Sequence, residues 1–523
     1  MWERYKKYLL HDEELGLTLD ISRVPFPDGY LDKMATQMSA VFEQMRELEG
    51  GAIANPDENR MVGHYWLRNP ELAPKTEIKQ TIIQNLKKIE EFVAKVHQGQ
   101  ITGQRGKTIT DVLIIGIGGS SLGPLFVAEA LANYQDPIRL HFLDNTDPDG
   151  MDRVLLRLEK RLDTTLTIVI SKSGGTTETY NGMVETKLKY QQVGLNFAKH
   201  ALGITQAGSL LDRLIQEEGW LAGFPMWDWV GGRTSVFSAV GLLPLGLQGI
   251  KIDQFLEGAR LGDLLCQKEA VAENPAALLA LMWYFLTEGR GGKNMVLLPY
   301  KDRLEKLSKY LQQLIMESLG KEKDLAGIQV RQGIGVFGNK GTSDQHSFLQ
   351  QLLEGPDNFF VTFIQVLKDR EGSSPIITKE STSGDYLQAF LLGTRKALSQ
   401  KGRSSITLTL RQLSPVSLGA LLAVFERTVS LYAFLVNINA YHQPAVELGK
   451  KAAGEIISLK NKGVAFLKAN PNRKFELKQL ALEIGEPEEQ EALYILLNHQ
   501  AANPDRGIKK EPGGEVYWFE GQK

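Results

Sequence analysis

Residues 170–179 read Ile-Ser-Lys-Ser-Gly-Gly-Thr-Thr-Glu-Thr and follow the β-rich run 166–170. The hydroxyls of Ser171, Ser173, Thr176 and Thr177 are donors suited to a multi-oxygen anion. Gly174 and Gly175 permit a tight turn and close backbone approach. Residues 176–187 read as a helix, so its free N–H groups and positive dipole end would face the same spot. Together these features make a phosphate cradle that uses neither a metal nor a Walker lysine. Ser/Gly/Thr-rich stretches are also ordinary surface turns. The cradle is favoured by its place at the C-terminal end of a predicted parallel strand, where open α/β sheets put their ligands.

Five other segments hold reactive types. Residues 116–123, Gly-Ile-Gly-Gly-Ser-Ser-Leu-Gly, follow the apolar run 112–115. The dinucleotide fingerprint fails there because Ser121 stands where its third glycine belongs, although Asp144 could imitate the ribose-binding acid. The loop instead suits close approach to a hydroxylated ligand through Gly119 and Ser120. Arg233 follows Gly231 and Gly232 and is either a surface arginine beside a turn or a guanidinium at a pocket floor. In the second case its rigid, always-charged fork suits a developing oxyanion. Glu317 lies near the end of an apolar helix just before Gly320. It is either solvated there or a carboxylate of raised pKa able to act as a base. His346 sits in the polar loop Gly-Thr-Ser-Asp-Gln-His, and Lys450 closes the run Gln-Pro-Ala-Val-Glu-Leu-Gly-Lys. Taken singly, each of these two reads as structural or solvated. No His/Cys/Asp/Glu cluster has metal-ligand spacing, and no nucleophile elbow marks a Ser–His–Asp arrangement.

The elements that must position these groups alternate. Apolar runs at 112–115, 138–143 and 166–170 are separated by helical stretches, and the pattern recurs with 294–299, 359–364 and 405–410. Strands alternating with helices imply βαβ units and parallel sheets. The expected fold class is therefore α/β, with two doubly wound parallel-sheet units in tandem. We divide the chain into a helical N-terminal segment (1–75), a first unit (76–250), a second unit (251–455) opened by bridging helices, and a small C-terminal tail (456–523). The tail reads equally as a winged-helix-like unit or a helical cap. At 523 residues, with 42% hydrophobic and 23% charged side chains, the chain can bury large cores. A net charge of −2 gives no support to a nucleic-acid partner. One cysteine, Cys266, and an N-terminus without the apolar core of a signal peptide suit a cytoplasmic protein. No run of about 20 apolar residues suggests a membrane span.

Taken in order, these six segments resemble the glucose-6-phosphate isomerase (phosphoglucose isomerase) family. The resemblance rests on Gly-Ile-Gly-Gly-Ser-x-Leu-Gly-Pro, Ser-Lys-Ser-x-x-Thr-x-Glu-Thr, Gly-Gly-Arg-x-Ser, Met-Glu-Ser-x-Gly-Lys, Thr-x-x-Gln-His-Ser-Phe and Val-Glu-Leu-Gly-Lys, which run from 116 to 450. It implies that both α/β units are sugar-isomerase (SIS) domains. It also implies interconversion of glucose 6-phosphate and fructose 6-phosphate, in glycolysis and gluconeogenesis, without a cofactor or metal. By the same resemblance Ser171, Lys172 through its backbone N–H, Ser173 and Thr176 would hold the 6-phosphate. Gly119 and Ser120 would contact the sugar chain, with Gln313 and Gln443 close by. Glu317 would move a proton between C1 and C2, and Arg233 would stabilise the cis-enediolate. His346, assisted by Lys450, would open the ring, reaching the site from the partner subunit of a homodimer. The sequence departs from the animal members at Gly174, Gly175 and Thr177, and from frequent family residues at Leu319, Tyr441 and His442.

Overall fold

The computed structural model describes residues 1–520, apart from the Glu447 side chain. The chain divides into two compact units, Met1–His442 and Gln443–Lys523.

The first unit is built on two sheets. Asp111–Ile115 and Thr165–Ile170 are β-branched runs buried along their whole length, as strands covered on both faces must be. With Arg139–Leu143, Ala201–Thr205 and Ala222–Pro225 they form an all-parallel sheet. Its order in space, with strands counted along the chain, is 2-1-3-4-5. The order reverses between Asp111–Ile115 and Thr165–Ile170, so the loops leaving these two strands flank the switch point, where such sheets bind ligands. Those loops are the Gly119 loop and the Ser171 loop.

The second sheet has six strands in the order Leu9–Asp12, Leu17–Arg23, Ser405–Leu410, Phe359–Val366, Asn294–Pro299, Val336–Phe337. The last four are mutually parallel. Leu17–Arg23 joins Ser405–Leu410 antiparallel, and Leu9–Asp12 pairs antiparallel with Leu17–Arg23. The N-terminal segment is helical at Tyr30–Glu49 as expected. Its first part departs from the expected helix. In Leu17–Arg23 (Leu-Thr-Leu-Asp-Ile-Ser-Arg) alternation and β-branching win once an unpaired sheet edge is available. Ala201–Thr205 and Ala222–Pro225 are two further strands that the sequence reading lacked.

Helix Pro415–Leu435 is long and apolar enough to cross a membrane, but 94% of that apolar window is buried inside the protein. It lies against Ile252–Cys266 at backbone distance. A methyl group on Gly258 would stand 2.0 Å from the Val416 carbonyl oxygen, and one on Gly419 would stand 2.2 Å from that of Phe255. Between the two helices, polar side chains are sealed in the core. Asp263 accepts from Arg68 Nε (2.5 Å) and Nη2 (2.9 Å) and from Arg427 Nε (2.5 Å). Glu426 takes the third Arg68 nitrogen, and Glu49 takes Arg427 Nη2.

The second unit has its own core, centred on Leu467, Phe475, Leu480, Leu493, Leu497 and Tyr517. Helices Pro444–Ala469, Leu477–Glu483 and Gln490–Ala501 accompany a three-stranded antiparallel sheet ordered Phe475–Glu476, Val516–Phe519, Ile508–Lys510.

Candidate active site

Three loops and one helix end meet at the switch point. The Ser171 loop is held by its own hydroxyls. Ser171 Oγ lies 3.0 Å from Thr176 Oγ1 and accepts from the Gly174 N–H at 3.1 Å, while the Gly175 N–H donates to Ser173 Oγ at 3.2 Å. Thr205 Oγ1 donates to the Ser171 carbonyl at 2.6 Å, fixing the loop to the neighbouring strand. Thr176 immediately precedes the helix Thr177–Gln192, so the turn lies on that helix's positive end.

Lys172 does more than offer a backbone N–H. Its Nζ donates to the carbonyls of Asp228 (3.0 Å) and Val230 (3.1 Å), in the turn that leads to Arg233. Burial, reinforced by Arg60, lowers its pKa to about 8, with Asp228 and Glu58 pulling the other way. The Arg233 turn in turn rests on the Gly119 loop. A Cβ built on Gly119 would lie 2.0 Å from the Gly232 carbonyl oxygen. Ser235 Oγ bridges the two, donating toward the Gly232 carbonyl at 2.7 Å and the Gly119 carbonyl at 3.3 Å. Gly119→Ala is therefore expected to lower kcat/KM on the order of tenfold or more, because the Arg233 turn must move away. Unchanged steady-state kinetics of that variant would show that the contact is dispensable.

The fourth component is a helix that changes pitch. Leu307–Leu311 is α-helical, and Gln312–Glu317 continues it as a π-helix, where a single α-helix was expected. Leu314 and Ile315 are fully buried in the core. The wider turn is a local distortion typical of functional sites. Gln313 Nε2 would lie 3.1 Å from a Cβ on Gly118, so this side chain sits at the glycine loop.

Arg233 is 5% exposed and crosses to Glu317. Its Nη2 donates to Glu317 Oε1 at 2.8 Å, and its Nη1 donates to the Ala440 carbonyl at 2.8 Å. The Glu317 side chain keeps 25% of its surface accessible, so it can meet a ligand. The guanidinium orients the carboxylate, a group whose oxygens can accept a proton from carbon. The same guanidinium can receive charge that develops on an oxygen next to the carbon losing that proton.

The structure thus brings together the Gly119–Ser120 and Ser171–Thr176 loops, Lys172, Arg233, Gln313 and Glu317. It does not bring His346 to them within one chain. His346 ends the short 3-10 helix Ser343–His346 and is exposed, and among the described residues no hydrogen bond joins it to Arg233 or Glu317. Its neighbours turn inward instead. Asp344 Oδ2 accepts from the Asn339 and Lys340 N–H groups, and Gln345 Nε2 donates to Thr394 Oγ1 at 2.6 Å. Gln443 and Lys450 belong to the second unit, at the N-cap and in the second turn of Pro444–Ala469. Among the described residues no group of three or more His, Cys, Asp or Glu side chains could hold a metal ion.

Sequence reading overlooked the turn at 55–60, Asn-Pro-Asp-Glu-Asn-Arg, which supports the 439–442 segment. Asn439 Nδ2 donates to Asn55 Oδ1 at 3.0 Å and to Asp57 Oδ2 at 2.5 Å. Its Asn-Pro start signalled a turn, but nothing in it signalled a partner nearly 400 residues away. Lys321, the last residue of the Met-Glu-Ser-x-Gly-Lys motif, and His442 carried no role in the sequence reading. His442 is held below the usual histidine pKa by burial and by Lys321.

Comparison with known proteins bears on this geometry. The sequence profile described as phosphoglucose isomerase matches residues 29–471. A glucose-6-phosphate isomerase of Desulfitobacterium hafniense (strain Y51) is 59% identical over 98% of this chain and 96% of its own length. One from Geobacter sp. (strain M21) is 56% identical over 97% and 96%. The crystal structure of a glucose-6-phosphate isomerase from Chlamydia trachomatis D/UW-3/Cx superposes with a TM-score of 0.80 at 30% identity, covering 88% of this chain and 91% of that one. The match runs through every loop that meets at the switch point, and on this evidence the chain belongs to the phosphoglucose isomerase family.

Proposed function

We propose that the chain interconverts D-glucose 6-phosphate and D-fructose 6-phosphate, an aldose–ketose isomerisation serving glycolysis and gluconeogenesis. The observation that carries the reading is the Arg233–Glu317 ion pair, linked by the Gly232 contact to the glycine loop and by Lys172 to the hydroxyl-rich loop. The 6-phosphate lies against Ser171, Lys172, Ser173 and Thr176, and the sugar chain runs past Gly119, Ser120, Gln313 and Gln443. After ring opening by His346 with Lys450, Glu317 takes the proton from C2 of the aldose and returns it to C1. Arg233 neutralises the enediolate oxygens between the two steps. One carboxylate serves both transfers, so the substrate is neither oxidised nor reduced overall.

We place His346 in the active site of a second copy, making the chain a homodimer. This is supported by the outward presentation of His346 and by the helix that anchors its loop. Ser383–Gln400 supplies Thr394 and exposes Tyr386 and Phe390 one turn apart, an apolar surface suited to a protein partner. We read the closing unit as winged-helix-like, from the order of its strands. Glu486, Glu488, Glu489 and Glu491 lead its last helix, a charge that disfavours nucleic acid. We place the protein in the cytoplasm, free of the membrane.

The test is a coupled assay for glucose 6-phosphate formed from fructose 6-phosphate by the purified chain. Absence of turnover on this pair would exclude the reaction. Within it, Ser171→Ala and Thr176→Ala are expected to raise KM about ten- to a hundredfold, the worth of a hydrogen bond to a charged group, with kcat less affected. A fall in kcat at unchanged KM would remove the phosphate-anchoring role.

A further inference from the structure

Lys321 ends the run Met-Glu-Ser-Leu-Gly-Lys, and the mechanism above makes no use of it. The residue is 6% exposed and its side chain folds back on the site. Its Nζ donates to the Glu317 carbonyl at 2.8 Å and to the His442 carbonyl at 2.9 Å. The first acceptor closes the π-helical turn, where helix carbonyls lack partners within the helix. The second is the oxygen that Arg233 Nη2 also approaches, at 3.4 Å. A closed circuit results: the Glu317 carboxylate to Arg233, Arg233 to the His442 carbonyl, that carbonyl to Lys321, and Lys321 to the Glu317 backbone. The 439–442 segment is fixed from outside by Asn55 and by Tyr441, whose hydroxyl donates to Ser430 Oγ at 2.8 Å. Arg233 therefore holds the side chain of Glu317 while Lys321 holds its backbone, and both pull against one anchored strand of chain.

We infer that Lys321 is a positioning residue for the proton transfer: it fixes the Glu317 backbone against the segment on which Arg233 rests. This rests on the isomerase reading and deepens it. Burial and Arg233 lower the Lys321 pKa to about 8, opposed by Glu317 and Asp57, so the ammonium persists at neutral pH.

The experiment compares the full-length protein with Lys321→Met and Lys321→Arg, using fructose 6-phosphate kinetics and thermal unfolding. Lys321→Met is expected to lose about ten- to a hundredfold in kcat, the range for a small misplacement of a reacting group, with KM within about threefold. Lys321→Arg, which keeps a cation but not its compact geometry, should fall between the two in kcat at the same KM. If the methionine variant does not fold, the arginine variant decides. A kcat within twofold of the unaltered protein in the folded variants, or a loss confined to KM, would overturn the inference. Absence of turnover in the unaltered protein would instead overturn the isomerase reading on which it stands.

Discussion

Glu317→Gln is expected to reduce kcat by about 10²–10⁴-fold, the range a positioned base contributes, while leaving sugar-phosphate binding nearly intact. The substitution changes one atom and little shape. The amide oxygen can still accept the Arg233 Nη2 hydrogen bond that Glu317 Oε1 now takes at 2.8 Å, so the guanidinium keeps its place. Its other anchor, the Ala440 carbonyl at 2.8 Å, is untouched. What disappears is the ability to accept a proton from carbon. Two measurements separate chemistry from binding. Coupled turnover should collapse, and so should deuterium uptake from solvent at C2. Calorimetric affinity for a hexitol 6-phosphate, which lacks a carbonyl and cannot react, should change by less than about threefold. Near-normal turnover would remove Glu317 from the role of base. Truncating Arg233 is a less clean experiment, because it strips a donor from two backbone carbonyls as well as from the carboxylate.

The pairing of these two residues shows what one-dimensional reading can reach. Their types and local settings were legible: an arginine behind two glycines, and a glutamate at the end of an apolar helix. That they meet was not, because 84 positions separate them and the contact depends on a π-helical turn no local pattern announces. The same holds for Lys172. A lysine in a hydroxyl-rich loop suggests its backbone N–H as a donor. The tie its Nζ makes to Asp228 and Val230 exists only because the sheet sets the ends of Thr165–Ile170 and Ala222–Pro225 on one edge, with a single strand between them. The sheet itself was legible where strands are buried on both faces, as at Asp111–Ile115 and Thr165–Ile170. It was illegible at Ala201–Thr205 and Ala222–Pro225, whose Ala, Gly and Pro residues carry weak strand preference. The N-terminal hairpin was missed for a different reason: Leu17–Arg23 has a good strand pattern, but the edge that stabilises it lies at Ser405–Leu410.

The largest loss of stability is expected away from the reacting groups, at Asp263. Its carboxylate is the hub of a buried network in which the Arg68, Arg427 and Glu426 side chains are 0%, 1% and 0% exposed. Replacing Asp263 by Asn leaves two guanidiniums in the core with one negative charge fewer between them, and deleting one partner of such a set costs about 3–5 kcal/mol. Relaxation is blocked because the flanking helices approach to backbone contact at Gly258 and Gly419. Urea unfolding should report the loss. Lys368→Met, which breaks the exposed pair with Glu371, serves as the control and should leave the midpoint unchanged. Equal midpoints for both variants would mean that water reaches the network. Below the unfolding transition KM should stay unaltered in Asp263→Asn, since among the described residues no hydrogen bond joins the network to the Gly119 or Ser171 loop. A modest effect on kcat is expected through Tyr310, which donates to Glu426 at 3.3 Å and precedes the helical turn bearing Glu317. The network's contribution is one of register more than net stability. An apolar set of equal volume could match its energy, but it would not specify how Pro415–Leu435, Ile252–Cys266 and the helix of the base are set against one another.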